Sequence, residues 1–310
     1  MIRAANRGRP GRPGDGVIVT GSSTGLGLET ALHLAGRGFR VFAGVRRPES
    51  ADAVLAAAAD RGVDLEPLEL DLTDHASIER AVGTAAERAG GLYGLVNNGG
   101  IGLRGALEDS SEEEVRRVFE TNVLGTVAVT QAVLPHLRGA GCGRIVTVTS
   151  IGGRVPGFGV SVYCSSKFAQ EGLAEGLALE LAPLGIQSII VAPGMVKTPR
   201  WAEHRGTAAG ATDPGSPYHD RFWASEAAAD RIVERSPTRP ADVAAAIGEA
   251  LTSEDPRLRY VVGRGARLVV TLRRHLPERL FERLYYGGQL RRLERADGAA
   301  APPAPQEALR

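Results

Sequence analysis

The chain has 310 residues, 43% of them hydrophobic, with 40 Gly and 18 Pro, which is enough apolar material for one sizeable core in a turn-rich fold. Its 37 basic and 36 acidic residues leave a net charge of +1, so a general polyelectrolyte attraction to nucleic acid or acidic membranes is excluded as its main business. Two cysteines, Cys142 and Cys164, are too few for a disulfide scaffold or a multi-Cys metal site, and the six histidines show no ligand spacing; a reducing, cytoplasmic setting without a structural metal is expected.

In chain order, residues 1–15 are rich in Arg, Gly and Pro with no apolar stretch behind them, and read as a disordered basic tail. Near-continuous apolar runs follow at 17–20, 40–45, 65–70, 94–98, 144–150, 186–193 and 259–263, separated by helix-length connectors. Runs of that kind suit strands covered on both faces, and the connectors are long enough to cross over a parallel sheet. The predicted fold class is therefore α/β, a Rossmann-type doubly wound parallel sheet, with a single dinucleotide-binding catalytic domain over 16–263.

Residues 195–235 read as irregular, and their aromatics Trp201, Tyr218, Phe222 and Trp223 suit either an anchored surface loop or a lid over a substrate. From 264 to 296 a helical extension is predicted. There Val269, Leu272, Leu276, Leu280 and Leu284 recur at helical spacing, Pro277 can open a second helix, and nine arginines face three glutamates. Folding back onto the domain beside the substrate pocket is the favoured reading of that stripe, with peripheral contact to an anionic membrane as the alternative. Residues 297–310 read as a second disordered tail, and no apolar run reaches the roughly 20 residues that span a bilayer.

Three groups of residues carry chemistry. The first strand runs directly into Thr20-Gly21-Ser22-Ser23-Thr24-Gly25-Leu26-Gly27 and then a helical stretch, the order a pyrophosphate site needs. Glycines let the backbone approach phosphates, and the helix start offers unpaired N–H groups and a positive dipole end. The second strand ends in Val45-Arg46-Arg47 with no acid before Glu49. An arginine there accommodates a 2′-phosphate, so NADP(H) is expected to be preferred over NAD(H), although an ordinary solvated arginine is the competing reading. Replacing Val45 by Asp is expected to shift that preference. Tyr163 and Lys167 lie four apart at a helix start, and Ser150 closes the preceding strand. A neighbouring ammonium favours phenolate, which allows proton exchange with an alcohol or carbonyl oxygen that the serine holds. Cys164 reads as a small packing residue rather than a nucleophile.

In these motifs the sequence resembles the short-chain dehydrogenase/reductase family over residues 16–263. The glycine pattern is Thr-Gly-x-x-x-Gly-x-Gly; Asp71-Leu72 is similar to the pair that contacts adenine, and Asn97-Asn98-Gly99-Gly100 to the family's Asn-Asn-Ala-Gly, with Gly99 in place of alanine. Asn122, Ser150, Tyr163 and Lys167 match the catalytic tetrad, and Pro193-Gly194 with Thr198 the segment that meets the nicotinamide. The resemblance implies hydride transfer between nicotinamide and a substrate carbon. Tyr163 is then acid or base, Ser150 polarises the oxygen, Lys167 binds ribose and lowers the tyrosine pKa, and Asn122 holds a relay water. It implies a small apolar carbonyl or alcohol substrate similar to those of members acting on steroids and retinoids, and a homo-oligomer, dimer or tetramer, paired through the helices of Asn122 and Tyr163. A non-catalytic NADP-binding regulator or scaffold is the alternative, which an intact tetrad opposes; a nucleic-acid partner is not expected, because the basic ends carry no matching motif.

Overall fold

The structure, a computed structural model, describes residues 8–198 and 205–294. All seven apolar runs become strands of one parallel sheet: β1 (Gly16–Val19), β2 (Arg40–Val45), β3 (Glu66–Glu69), β4 (Gly94–Asn97), and, numbered past a short strand β5 (Gly102–Arg104), β6 (Gly143–Val148), β7 (Ile186–Pro193) and β9 (Arg259–Val262). Their order is β3-β2-β1-β4-β6-β7-β9, and β5 pairs separately with β8 (Arg205–Thr207). The order reverses between β1 and β4, and ligands of open α/β sheets bind at the carboxyl ends of the strands beside such a reversal.

Side chains alternate across each strand, so the sheet has two apolar faces. Val17, Val19, Val41, Val45 and Val96 pack with α1 (Gly25–Gly36), α2 (Ala51–Arg61) and α8 (Pro240–Thr252) through Leu34, Val54 and Ile247. Ile18, Phe42, Leu95 and Ile145 face α3 (His75–Ala89), α5 (Gly125–Ala140) and α6 (Ser161–Leu181) through Ile78, Val133 and Leu177. Local signals start two helices on this side. The Asp74 carboxylate accepts from Ala76 N at 2.9 Å ahead of α3, and Ser111 with Glu114 forms a capping box on α4 (Glu112–Phe119). Between α4 and α5 the helix widens into a π turn, Glu120–Leu124, a distortion frequent at functional sites.

Three regions differ from the sequence-based expectation. Residues 8–15, expected as tail, are strapped to the domain. Gly11 N donates to Leu251 O at 2.9 Å, Arg9 pairs with Asp15 at 2.6 Å, and the Tyr93 hydroxyl lies 3.0 Å from the Arg9 carbonyl and 3.1 Å from that of Leu251. Alongside, the buried Arg144 guanidinium donates to Ala250 O and Ser253 O at the end of α8.

The segment expected to be irregular contains β8 and a 16-residue helix, α7 (His219–Glu234). Phe222, buried to 1% exposure, packs with Leu103, Val118, Val162, Ala208 and Ala211 into a separate small core, against which Trp223 also lies. The polar and alanine-rich sequence of α7 hides its periodicity, since one large side chain does most of the anchoring. Trp201 lies outside the described residues.

The extension forms two helices, α9 (Arg264–His275) and α10 (Glu278–Glu294), hinged at Pro277 as the sequence predicts. They do fold back, but on another face than the leucine stripe: Ala266, Phe281 and Leu293 are buried, whereas Leu272, Leu280 and Leu284 are exposed. Both faces are apolar, and the aromatic one seals better: Phe281 stacks on Tyr285 at 5.2 Å between ring centroids, with Arg273 over the other side of the cluster. No helix among the described residues is long and apolar enough to cross a membrane.

Candidate active site

The glycine turn between β1 and α1 is built for close backbone approach. Gly21 and Gly25 have φ of +66° and +59°, in the left-handed region that side chains disfavour. A Cβ on Gly27 would lie 2.1 Å from Gly21 O, while Gly25 faces open space. Thr24 is the N-cap of α1, and the first bond of the helix runs from Leu28 N to Thr24 O, so the N–H groups of Gly25, Leu26 and Gly27 lie ahead of it. Ser22 is tied down, its hydroxyl donating to Val19 O at 2.8 Å, and Ser23 is partly exposed beside it.

The end of β4 locks this turn in place. Thr20 Oγ1 accepts from Asn98 N and Gly99 N at 3.1 and 2.9 Å, and Asn98 Nδ2 donates to the carbonyls of Thr20 and Gly21. At Gly99 a Cβ would lie 2.7 Å from Leu72 Cδ1, which occupies the room an alanine methyl would take. The preceding Asp71 accepts from Thr73 N at 2.9 Å and from its hydroxyl at 2.8 Å, which fixes the turn after β3. An open cradle at a helix start, closed in by backbone that no Cβ could enter, fits a dinucleotide pyrophosphate. Gly27→Ala is expected to cost about 3 kcal/mol of stability, because backbone and not a flexible side chain blocks the new methyl; urea denaturation with and without cofactor measures it.

Arg46 follows β2 and is exposed, with no hydrogen bond or ion pair to any described residue. Val45 is 1% exposed within the core, so a carboxylate placed there would be buried rather than offered to a ribose. Of the two, only Arg46 is exposed.

On the other side of the site, Ser150 and Tyr163 converge beside Gly152, where a Cβ would lie 3.4 Å from Ser150 Oγ and 3.6 Å from Tyr163 Cε1. Ser150 Oγ accepts from Gly152 N at 3.0 Å, which orients it. Burial pushes the Tyr163 phenol up to about 12, with the nearby Ser150 hydroxyl pulling the other way. The lowering by Lys167 that the sequence suggested is absent from this balance. The ammonium is 5.8 Å from the phenol ring centroid and is engaged elsewhere, donating to Val148 O at 3.2 Å and Gln170 Oε1 at 2.8 Å. Lys167 is itself pushed down to about 8 by burial, against the pull of Glu171.

Asn122, fully buried in the π turn, accepts from Ile101 N at 2.8 Å and donates to Ile101 O and Ser166 Oγ. Its own carbonyl accepts from Gln170 Nε2 at 2.6 Å and Thr126 Oγ1 at 2.7 Å. Gln170, which the sequence reading missed, thus joins Asn122 to Lys167 directly; its spacing of three from Lys167 was the available signal. Pro193 and Gly194 end β7, where Gly194 N donates to Val262 O at 2.9 Å and a Cβ would lie 2.8 Å from that of Ala266 on α9. Thr198, partly exposed, is the last described residue before 205.

Gln170→Leu is expected to remove the acceptor that favours the Lys167 ammonium. Lysine then loses its charge at lower pH than the native value of about 8. With Lys167 as the ribose-binding residue that the family resemblance implies, cofactor affinity is expected to fall as pH rises through about 8 in the native protein and earlier in the variant. Binding titrations across pH read this directly, and an unmoved limb would mean that Gln170 only packs.

A doubly wound sheet with a glycine cradle at its reversal and a Ser-Tyr-Lys-Asn group facing it across the cleft defines a nucleotide-dependent oxidoreductase architecture. Comparison with known proteins makes this specific: residues 15–208 match the short chain dehydrogenase family model. The chain is 37% identical to uncharacterized oxidoreductase YusZ of Bacillus subtilis, over 84% of this chain and 93% of that protein. It is 33% identical to retinol dehydrogenase 5 of Mus musculus, over 86% of each. A short chain dehydrogenase of Burkholderia cenocepacia, solved in complex with NADP, superposes with a TM-score of 0.66 at 31% identity, covering 82% of this chain and 98% of that one. This protein belongs to the short-chain dehydrogenase family and is an oxidoreductase acting on CH–OH groups.

Proposed function

We propose that the protein is an NADP-preferring enzyme interconverting an apolar secondary alcohol and its ketone, or an alcohol and its aldehyde, with Tyr163 as the acid or base. The observation that carries this reading is the convergence of Ser150 and Tyr163 beside Gly152, with the buried Lys167 and Asn122 joined behind them through Gln170. Bound in the glycine cradle, a nicotinamide dinucleotide supplies or accepts the hydride. Gly25, Leu26 and Gly27 would hold its pyrophosphate, Asp71 and Leu72 its adenine side, Lys167 its ribose, and Pro193, Gly194 and Thr198 its nicotinamide end. The exposed Arg46 guanidinium and the neighbouring Thr24 hydroxyl suit a 2′-phosphate, in line with the NADP held by the Burkholderia relative.

Ser150 and Tyr163 place two hydroxyl groups on one substrate oxygen. A phenol pushed up to about 12 is protonated at neutral pH, so Tyr163 is poised to donate its proton to a carbonyl oxygen when the reaction runs as a reduction. Gln170 and Lys167 form the buried polar path behind it. Val162, one residue before Tyr163, belongs to the apolar cluster of Leu103, Val118 and Phe222 against which Trp223 packs, and α10 comes near the same segment, with Gln289 Oε1 4.0 Å from where a Cβ on Gly157 would stand. Those surfaces suit a bulky apolar substrate, as the name of the mouse relative also suggests. Following NADPH absorbance against steroid, retinoid-like and short polar carbonyls tests the reading; turnover confined to the short polar compounds would overturn the substrate class, and none at all the catalytic one.

Domain 16–263 is the catalytic unit in this reading. Leu124, Phe168 and Leu179, all exposed on the π turn and α6, support self-association through these helices. Sedimentation velocity is expected to give a dimer or tetramer.

A further inference from the structure

The hairpin of α9 and α10 buries one apolar face and leaves another open. Leu268 and Leu284 are 59% and 56% exposed, and Leu272, Leu280 and Leu290 lie with them in solvent. Leu268 and Leu272 are one turn apart on α9, opposite the buried Ala266. On α10, Leu280, Leu284 and Leu290 share the side turned away from Phe281 and Leu293.

The charge on that outer side is mostly positive, Glu294 being its one acidic residue among the described ones. Arg279, Arg283 and Arg291 are exposed and interleave with the α10 leucines, and Arg264 flanks the α9 pair. Glu278 and Glu282 project from the opposite side of α10, by the helical period. None of the eight arginines between 264 and 294 pairs with a described carboxylate; Arg267 bonds the Val261 carbonyl and Arg273 the Tyr286 hydroxyl. Since the whole chain is only +1, this is a local concentration of positive charge around leucines. A solvated helix face has no use for leucines, and a second basic hairpin would repel this one.

We propose that the outer face of the α9–α10 hairpin seats on an anionic lipid surface. Its leucines enter the headgroup boundary and its arginines meet lipid phosphates and carboxylates. Two signals, apolar area and a basic cluster, act together, as reversible anchoring at a bilayer surface requires. The hairpin stays packed on α7 and β9 through its inner face throughout. The seat touches neither the glycine cradle nor the Ser150–Tyr163 pair, so it stands independently of the reaction assigned to them.

The test is co-sedimentation of the full chain with vesicles of phosphatidylcholine alone and of equal parts phosphatidylcholine and phosphatidylserine. Binding is expected only to the mixed vesicles and is expected to weaken as salt is raised. Reversing the three α10 arginines together (R279E, R283E, R291E) is expected to weaken it by about a hundredfold or more, and L280Q with L284Q to weaken it with the charges intact. Both variants should keep the native NADPH dissociation constant, which confirms that they fold. Failure of the native chain to sediment with the mixed vesicles overturns the proposal, as does binding that both variants leave unchanged. A native dimer that L280Q with L284Q splits, with no vesicle binding, would assign the face to a second copy instead.

Discussion

Tyr163→Phe is expected to lower kcat by about a thousandfold while leaving the NADPH dissociation constant within about twofold. The variant deletes one oxygen. The ring that carries it stands with Ser150 beside Gly152, whereas the cradle of Gly21, Gly25 and Gly27 is fastened separately by Thr20 and Asn98. The ring, and with it the 5.8 Å approach of Lys167 to the ring centroid, remains. Single-turnover kinetics on a carbonyl found in the absorbance screen separates the chemical step from binding, and near-native turnover would remove Tyr163 from the proton transfer.

Arg46→Glu is expected to weaken NADPH binding by about a hundredfold and NADH binding far less, reversing the preference. The guanidinium is exposed and free of described carboxylates, so the change costs little in the fold and acts on the ligand alone. A glutamate both removes a charge-assisted bond and repels the 2′-phosphate, yet it can accept from ribose hydroxyls. Fluorescence titration with the two cofactors gives the ratio. Equal losses for both would show that Arg46 acts only through the general field of the site.

Parallel strands covered on both faces are written as unbroken apolar runs, and that is why the sheet was legible in the sequence to within a residue or two. Tyr163 and Lys167 were legible for a different reason, their spacing of four putting them on one helix face. Other features depend on three-dimensional neighbours. Gln170 looks like any polar helical residue until Asn122 arrives from a helix 48 positions earlier in the chain. The pKa balance at Tyr163 turns on the depth of the cleft and on where the ammonium points, neither of which spacing reveals. In the C-terminal hairpin, leucines and aromatics both recur at helical period, so the pattern announces two sticky faces without ranking them. The short strand β5 and the helix α7 escaped for want of a strong alternation, one being three residues long and the other anchored chiefly by Phe222.

The strap of residues 8–15 sets the order in which the protein can be completed at the ribosome. Gly11 N and the Tyr93 hydroxyl both wait for the carbonyl of Leu251, and Arg144 waits for those of Ala250 and Ser253. Until α8 emerges, a nascent chain already carrying six of the seven sheet strands must leave the Arg144 guanidinium in water or bury a charge without partners, which is costly. Strand β6 is therefore unsupported on that face, and Gly11 lacks its partner until residue 251 has appeared. Closure of that face thus follows the synthesis of α8 and not that of the strands it covers.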